Sequence, residues 1–183
     1  MKGVIFTEFL EMVAETFSED MIDDIIDDSE LESGGVYTAV GTYSHEEIVQ
    51  LVVSLSKHSG IEVSELIRIF GQHLFQRFVV LYPDFFAQKG ITAFSFLQSV
   101  EDYIHVEVRK LYPDAELPRF NTQQESDDVM LMTYSSAHPF ATLAEGLLRG
   151  CMDYFGLNAE INTTDLSDGA GTHAEFRIAI VSV

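Results

Sequence analysis

The stretch Tyr103-Ile-His-Val-Glu-Val-Arg-Lys-Leu-Tyr-Pro-Asp-Ala-Glu-Leu-Pro-Arg-Phe120 joins a helix end, one imidazole and two prolines, and the rest of the chain has to be arranged around it. Leu97, Val100, Ile104, Val108 and Leu111 recur at spacings of three and four, which predicts a helix with one side against a core. Pro113 stops that helix, because a proline disfavours helical backbone in the residue before it. His105 falls at the edge of the apolar stripe, near Val108 and Tyr112. An imidazole fixed on a rigid helix beside hydrophobic space is suited to ligate a metal or a haem iron through its neutral ring nitrogen. It is equally suited to be a packed, hydrogen-bonded histidine, and these residues alone leave both roles open.

Upstream, helical periodicity dominates. Ile5, Phe9, Met12 and Val13 form one face of a first helix with Glu8, Glu11 and Glu15 outside it, so its inner side is a candidate pocket wall. Ser18 before Glu19 and Asp20 caps a second helix, in which Met21, Ile22, Ile25 and Ile26 oppose Asp23, Asp24, Asp27 and Asp28. Those carboxylates lack the order of a calcium loop and read as a solvated face. After Gly34-Gly35, Val36 to Val40 is a short extended candidate. Ser44-His-Glu-Glu47 reads as a capping box that leaves His45 on the surface, and Ile48, Leu51, Val52 and Leu55 carry the helix to Gly60. A longer helix from about Ser64 to Leu81 aligns Leu66, Ile67, Phe70, Leu74, Phe78 and Leu81 before Pro83. Leu74 and Phe78 are further wall candidates, and His73 is either a polar group toward the pocket or a partly exposed one.

Downstream, the period changes. Asn121 to Asp128 is polar and reads as a loop, whereas Val129 to Tyr134 reads as a strand. Pro139 opens a last long helix with Phe140, Leu143, Leu147, Cys151 and Tyr154 on one face and Gly156 at its left-handed cap. Cys151 is then a core residue, because nothing nearby supplies the electropositive, exposed setting of a nucleophilic thiol. Ala159 to Thr164 and His173 to Val183 flank Asp-Leu-Ser-Asp-Gly-Ala-Gly as a hairpin. Helices followed by at least three antiparallel strands make the fold class α+β.

A length of 183 residues suits one domain able to enclose a ligand. Thirty acidic against ten basic residues give a net charge of −20, which repels nucleic acid and anionic lipid and favours a basic protein surface as partner. One cysteine excludes an internal disulfide and a multi-cysteine zinc site. With no apolar run of membrane length and no signal-peptide pattern after Met-Lys-Gly, the expected location is the cytoplasm.

From the opening Met-Lys-Gly-Val-Ile-Phe, through Ile104-His105, Tyr112-Pro113 and Leu117-Pro118-x-Phe120, to Tyr134-x-Ser136 and the terminal strands, the chain resembles the H-NOX family of haem domains, which sense nitric oxide or dioxygen. The resemblance implies haem b, with His105 as the axial iron ligand and Pro118 pressing on the macrocycle. It implies one domain over 1–183, with a distal helical lobe to about residue 62, a proximal lobe with the sheet from about 63, and the haem between them. In that family a Tyr-x-Ser-x-Arg motif grips the propionates. Here Tyr134 and Ser136 match and His138 replaces the arginine, exchanging a permanently charged fork for a donor charged only part of the time.

Members that hold dioxygen carry a distal tyrosine, and the comparable position is Leu143, nine residues after Tyr134. With Ile5, Phe9, Leu74, Phe78 and Leu147 this implies an apolar distal wall, which suits nitric oxide and carbon monoxide and offers dioxygen no donor. The implied function is a nitric oxide sensor, not an enzyme, that signals to a protein such as a histidine kinase or a cyclic-di-nucleotide enzyme. The alternative set by His138 is an interaction module that binds haem weakly or not at all. A haem peroxidase would need a distal acid-base group paired with an arginine, which these residues do not supply.

Overall fold

Capping side chains, glycines and prolines cut the first part of the chain into helices. The structure, a computed structural model, describes residues 1–181. Its elements are α1 (Gly3–Thr16), α2 (Glu19–Asp27), α3 (His45–Ser59), α4 (Val63–Leu81), α5 (Ala93–Ser99) and α6 (His105–Leu111), then β1 (Arg119–Gln124), β2 (Val129–Ser135), α7 (Ala141–Tyr154), β3 (Ala159–Asp165) and β4 (His173–Ile180). Ser182 and Val183, included in the expected last strand, lie outside the described residues. Among the described residues no helix is long and apolar enough to cross a membrane.

The helix boundaries follow local chemistry. Ser18 accepts a hydrogen bond from the Met21 amide at 3.1 Å, and Gly60 closes α3 at a φ of 73°. The capping box at Ser44 is half made: its hydroxyl accepts from the Glu46 amide, but the Glu47 carboxylate turns inward to the hydroxyls of Ser33 and Tyr37. A reciprocal box forms instead at Thr92 and Ser95, at the start of α5.

Val36 to Val40 is not a strand. Val36 and Val40 face solvent, while Tyr37 stacks on Phe6 with ring centroids 4.5 Å apart and Tyr43 meets the same ring edge-on. Two half-buried tyrosines therefore fold this segment as a loop over α1. Glu8, expected outside, is also buried, and its charge is met by the Arg77 guanidinium of α4.

The sheet is antiparallel throughout, in the order β1-β2-β4-β3. Met130, Met132 and Tyr134 of β2 and Ala174, Phe176 and Ile178 of β4 point to its covered face. β1 falls where a loop was expected. Its side chains are polar because it is an edge strand with little to bury, yet backbone pairing with β2, from Arg119 opposite Ser135 to Gln124 opposite Met130, holds it in place.

Two apolar cores result. One joins α1, α2 and α3 to the first half of α4, through Phe6, Phe9, Ile25, Leu51, Leu55, Leu66, Phe70 and Leu74. The other joins α5 and α7 to the sheet through Phe94, Phe96, Leu148, Cys151, Met132, Tyr134 and Phe176, and takes in Phe75 of α4. α4 thus contributes to both. Cys151 is fully enclosed, and burial pushes its thiol well above the usual range. Tyr154, assigned to the buried face of α7, is instead 39 % exposed, with its ring edge against Phe86.

Candidate functional site

The helical run that carries His105 is not uniform. Between α5 and α6 the residues Val100–Ile104 form a π turn, whose wider spacing rotates the following residues relative to a regular helix. That rotation overturns part of the expected stripe: Leu111 is 60 % exposed, whereas His105 is 8 % exposed and is the buried residue of α6. The imidazole therefore points into the protein more directly than its edge position in the sequence suggests.

His105 Nδ1 lies 3.2 Å from Glu101 Oε2. The same oxygen accepts the backbone N–H of Phe120 at 3.1 Å, and Arg109 approaches the other carboxylate oxygen at 3.5 Å. Burial works against the Glu101 charge, but these donors outweigh it and hold the carboxyl below its ordinary pKa; burial likewise lowers that of His105. An ionised Glu101 requires the proton on Nδ1, so Nε2 carries the lone pair and bonds to nothing among the described residues. An iron ligand needs that tautomer.

From His105 a row of side chains leads along the sheet. The Phe120 ring is 5.8 Å from the imidazole and 5.7 Å from the Tyr134 ring. The buried Tyr134 hydroxyl donates to the His138 carbonyl at 3.1 Å, and Ser136 Oγ accepts the His138 amide at 3.0 Å. His138 Nε2 lies 2.7 Å from Glu116 Oε2, and its ring sits 4.2 Å from that of His45. His45 is accordingly not a simple surface residue: it is half-buried, and burial together with the His138 charge lowers its pKa. Pro118 is half-buried in the extended segment between α6 and β1, two residues before Phe120.

On the other side, Ile5, Phe9, Leu74, Phe78, Leu143 and Leu147 all belong to the first apolar core, with Phe9 and Leu74 enclosed and the rest partly so. Leu147 and Phe140 touch both cores. Beside Leu143 is an apolar cavity of about 30 Å³, lined also by Ile48, Val52, Ile67 and Phe70. His73 is partly exposed, but its Nε2 is enclosed without a hydrogen-bond partner.

The donor set fits a haem: a neutral imidazole aimed inward, hydroxyl and imidazole donors on one strand end, and flanking apolar side chains. Among the described residues no three His, Cys, Asp or Glu side chains gather to hold a bare metal ion. Glu101, Glu116 and His45 were missed in the sequence. The i to i+4 spacing of Glu101 and His105 was a usable signal. No local signal existed for Glu116 and His138, which are brought together from 22 residues apart.

Residues 2–163 match the family model described as Haem-NO-binding. The chain is 38 % identical to a K. algicida H-NOX protein solved in the Fe(II) unliganded state, covering 100 % of this chain and 98 % of that one with a TM-score of 0.91. It is 39 % identical to an H-NOX from Shewanella woodyi solved with IWP-051 in the Fe(II)CO state, covering 99 % and 95 % with a TM-score of 0.82. An S. oneidensis H-NOX in the Fe(II)NO state shares the fold at 24 % identity, covering 100 % of each chain with a TM-score of 0.89. No curated protein matches. The chain belongs to the Haem-NO-binding, or H-NOX, family.

Proposed function

We propose that this protein holds haem b through His105 Nε2 and senses nitric oxide. The observation that carries the reading is the state of His105: enclosed, its Nδ1 fixed by Glu101 and its Nε2 without a partner. Ferrous haem would supply the open coordination position that takes the gas. The protein's own residues do the rest: Phe120 packs beside the imidazole, Ser136 has a hydroxyl proton to give a propionate, and Tyr134 and His138 would add donors on leaving their present acceptors, the His138 carbonyl and Glu116. Pro118 is assigned the contact with the macrocycle by the family resemblance. Leu143, with Ile5, Phe9, Leu74, Phe78 and Leu147 in the same core, leaves the gas side apolar, which supports nitric oxide and carbon monoxide over dioxygen.

In this reading the two apolar cores correspond to the two lobes, His105 would hold the haem between them, and a weakened hold on His105 would let them shift. The protein acts in the cytoplasm by signalling to a partner protein such as a histidine kinase or a cyclic-di-nucleotide enzyme, through a basic face that complements the net charge of −20. Relatives solved with Fe(II) and Fe(II)CO support the cofactor.

The test is His105→Gly. The parent, reconstituted with haem and reduced, should give a five-coordinate ferrous spectrum, and the variant should give it only when imidazole is added. A variant with the parent spectrum and no added imidazole would refute the assignment.

One observation favours a second reading, a module that binds haem weakly. His138 already gives Nε2 to Glu116, so a propionate would compete for that donor.

A further inference from the structure

We propose that Glu101 is a positioning residue for His105, one that holds the imidazole by its Nδ1–H and strengthens Nε2 as an iron ligand. The proposal rests on the haem-binding reading above and adds to it what sets the strength of the axial bond.

The geometry is specific. Glu101 is the second residue of the π turn, four residues before His105, and its Oε2 receives Nδ1 at 3.2 Å. That same oxygen receives the Phe120 amide at 3.1 Å, from the start of β1. The other oxygen faces the Arg109 guanidinium at 3.5 Å, one turn beyond His105. Groups on both sides thus pin the carboxylate, and it cannot follow the ring if the ring turns.

A second contact fixes the ring plane, since Phe120, whose backbone anchors Glu101, also places its own ring 5.8 Å from the imidazole. Helix, carboxylate, strand and ring form a closed loop of contacts. Turning His105 would break the Nδ1 bond against a partner held in place by others.

The acceptor matters as well as its position. A carboxylate draws the Nδ1 proton more strongly than a neutral oxygen does, which raises electron density at Nε2 and makes it the better base toward a metal. The chain has built the stronger option, and the consequence is a shorter, stiffer bond from His105 to iron. Nitric oxide would then have to overcome a stronger proximal bond, so a larger share of its complex keeps His105 attached. Glu101 thereby sets how much nitric oxide binding is converted into release of the helix.

The first experiment is resonance Raman spectroscopy of the ferrous, gas-free protein, comparing the parent with Glu101→Gln. Glutamine keeps an acceptor of the same shape but removes the charge. The iron–histidine stretch should move to lower frequency. In the nitric oxide complex, the ratio of five- to six-coordinate species read from the absorption spectrum should rise by about tenfold, the lower end of what a lost outer-shell partner costs.

A second measurement leaves Glu101 intact. In His105→Gly, added imidazole can donate N–H to Glu101 and 1-methylimidazole cannot, so the iron–ligand stretch should be stronger for imidazole, by more than the same two ligands differ when bound to free haem. A Glu101→Gln protein with the parent frequency and coordination ratio, or equal stretches for the two added ligands after that correction, overturns the proposal. A parent that takes up no haem at all overturns the underlying functional reading instead, and is seen before any variant is made.

Discussion

His138 is the residue at which this chain departs from its family's arginine, and its surroundings give that departure a physical form. Its Nε2 is 2.7 Å from Glu116, and its ring faces His45. Arginine has donors enough for both Glu116 and a propionate, whereas the His138 nitrogen that faces Glu116 can give a proton to only one of them. His138→Arg should therefore slow haem transfer to an acceptor protein, by up to about tenfold, the worth of one weak charge-assisted bond. Equal transfer rates for the parent and the variant would remove His138 from the site.

His45 carries a second test at the same scale. Its pKa lies below its ordinary 6.5, because burial and the His138 charge outweigh Glu46 and Glu116, while the N-terminal ammonium adds to the lowering. Below 6.5 the unfolded chain takes up a proton that the folded chain resists, so this contribution is complete above 6.5 and is lost as pH falls through the folded value. Urea midpoints should drop over that window, and His45→Gln should flatten the drop. An unchanged pH profile would show that His45 is not the group responsible.

At the scale of elements, α4 and α7 pack backbone to backbone through glycine. A Cβ at Gly146 would meet the Arg68 carbonyl oxygen at 2.4 Å and Gly71 Cα at 2.8 Å, neither of which can move without moving its helix. Gly146→Ala should cost about 1–3 kcal/mol from overpacking, offset by up to about 1 kcal/mol of better helix propensity. Chemical denaturation measures the net loss, and a stabilised variant would mean that the helices separate easily. Since Leu143 lies one turn away on α7, the carbon monoxide spectrum of the haem-loaded variant should shift as well.

Elements were legible where side chains repeat and illegible where backbone decides. The apolar stripe of α3 was read to the residue and those of α1 and α4 in part, since Phe6, Glu8 and Phe75 are buried without having been assigned to the core and Leu81 at the end of α4 is exposed, whereas β1 was missed because its polar side chains carry no burial signal and its place comes from pairing with β2. The π turn was missed for a related reason: periodicity presumes a regular helix, whereas α5 and the π turn pack against the sheet and the turn's wider spacing rotates His105 inward.

For the whole molecule, two expectations follow from its charge and its apolar gas side. The reduced, haem-loaded protein should take up nitric oxide and carbon monoxide and show no stable dioxygen spectrum in air, and Leu143→Tyr is the change expected to create one. A persistent dioxygen spectrum in the parent would overturn the nitric oxide preference. With a net charge of −20, association with a signalling partner should slow as salt rises, and a salt-independent rate would remove the electrostatic part of that docking. Between the N-terminus and the segment after α6 the contacts are polar: Lys2 and Thr42 both reach Asp114, at 3.3 and 2.8 Å, and the Lys2 ammonium lies 5.1 Å from the Tyr112 ring. Contacts of this kind exchange with water at little cost.

The sequence by itself determined the α+β class, most helix limits and the enclosed Cys151, and it singled out His105 as the candidate iron ligand. Each rests on information carried locally, as period, cap, proline or motif. Only the tertiary structure decided the partners of those residues: Glu101 and Phe120 on His105, Glu116 and His45 on His138, and Arg77 on the buried Glu8. Such pairs join positions far apart in the chain, or close ones rotated by a π turn. Their chemistry exists only once two apolar cores have closed and left each polar group beside neighbours that can satisfy it.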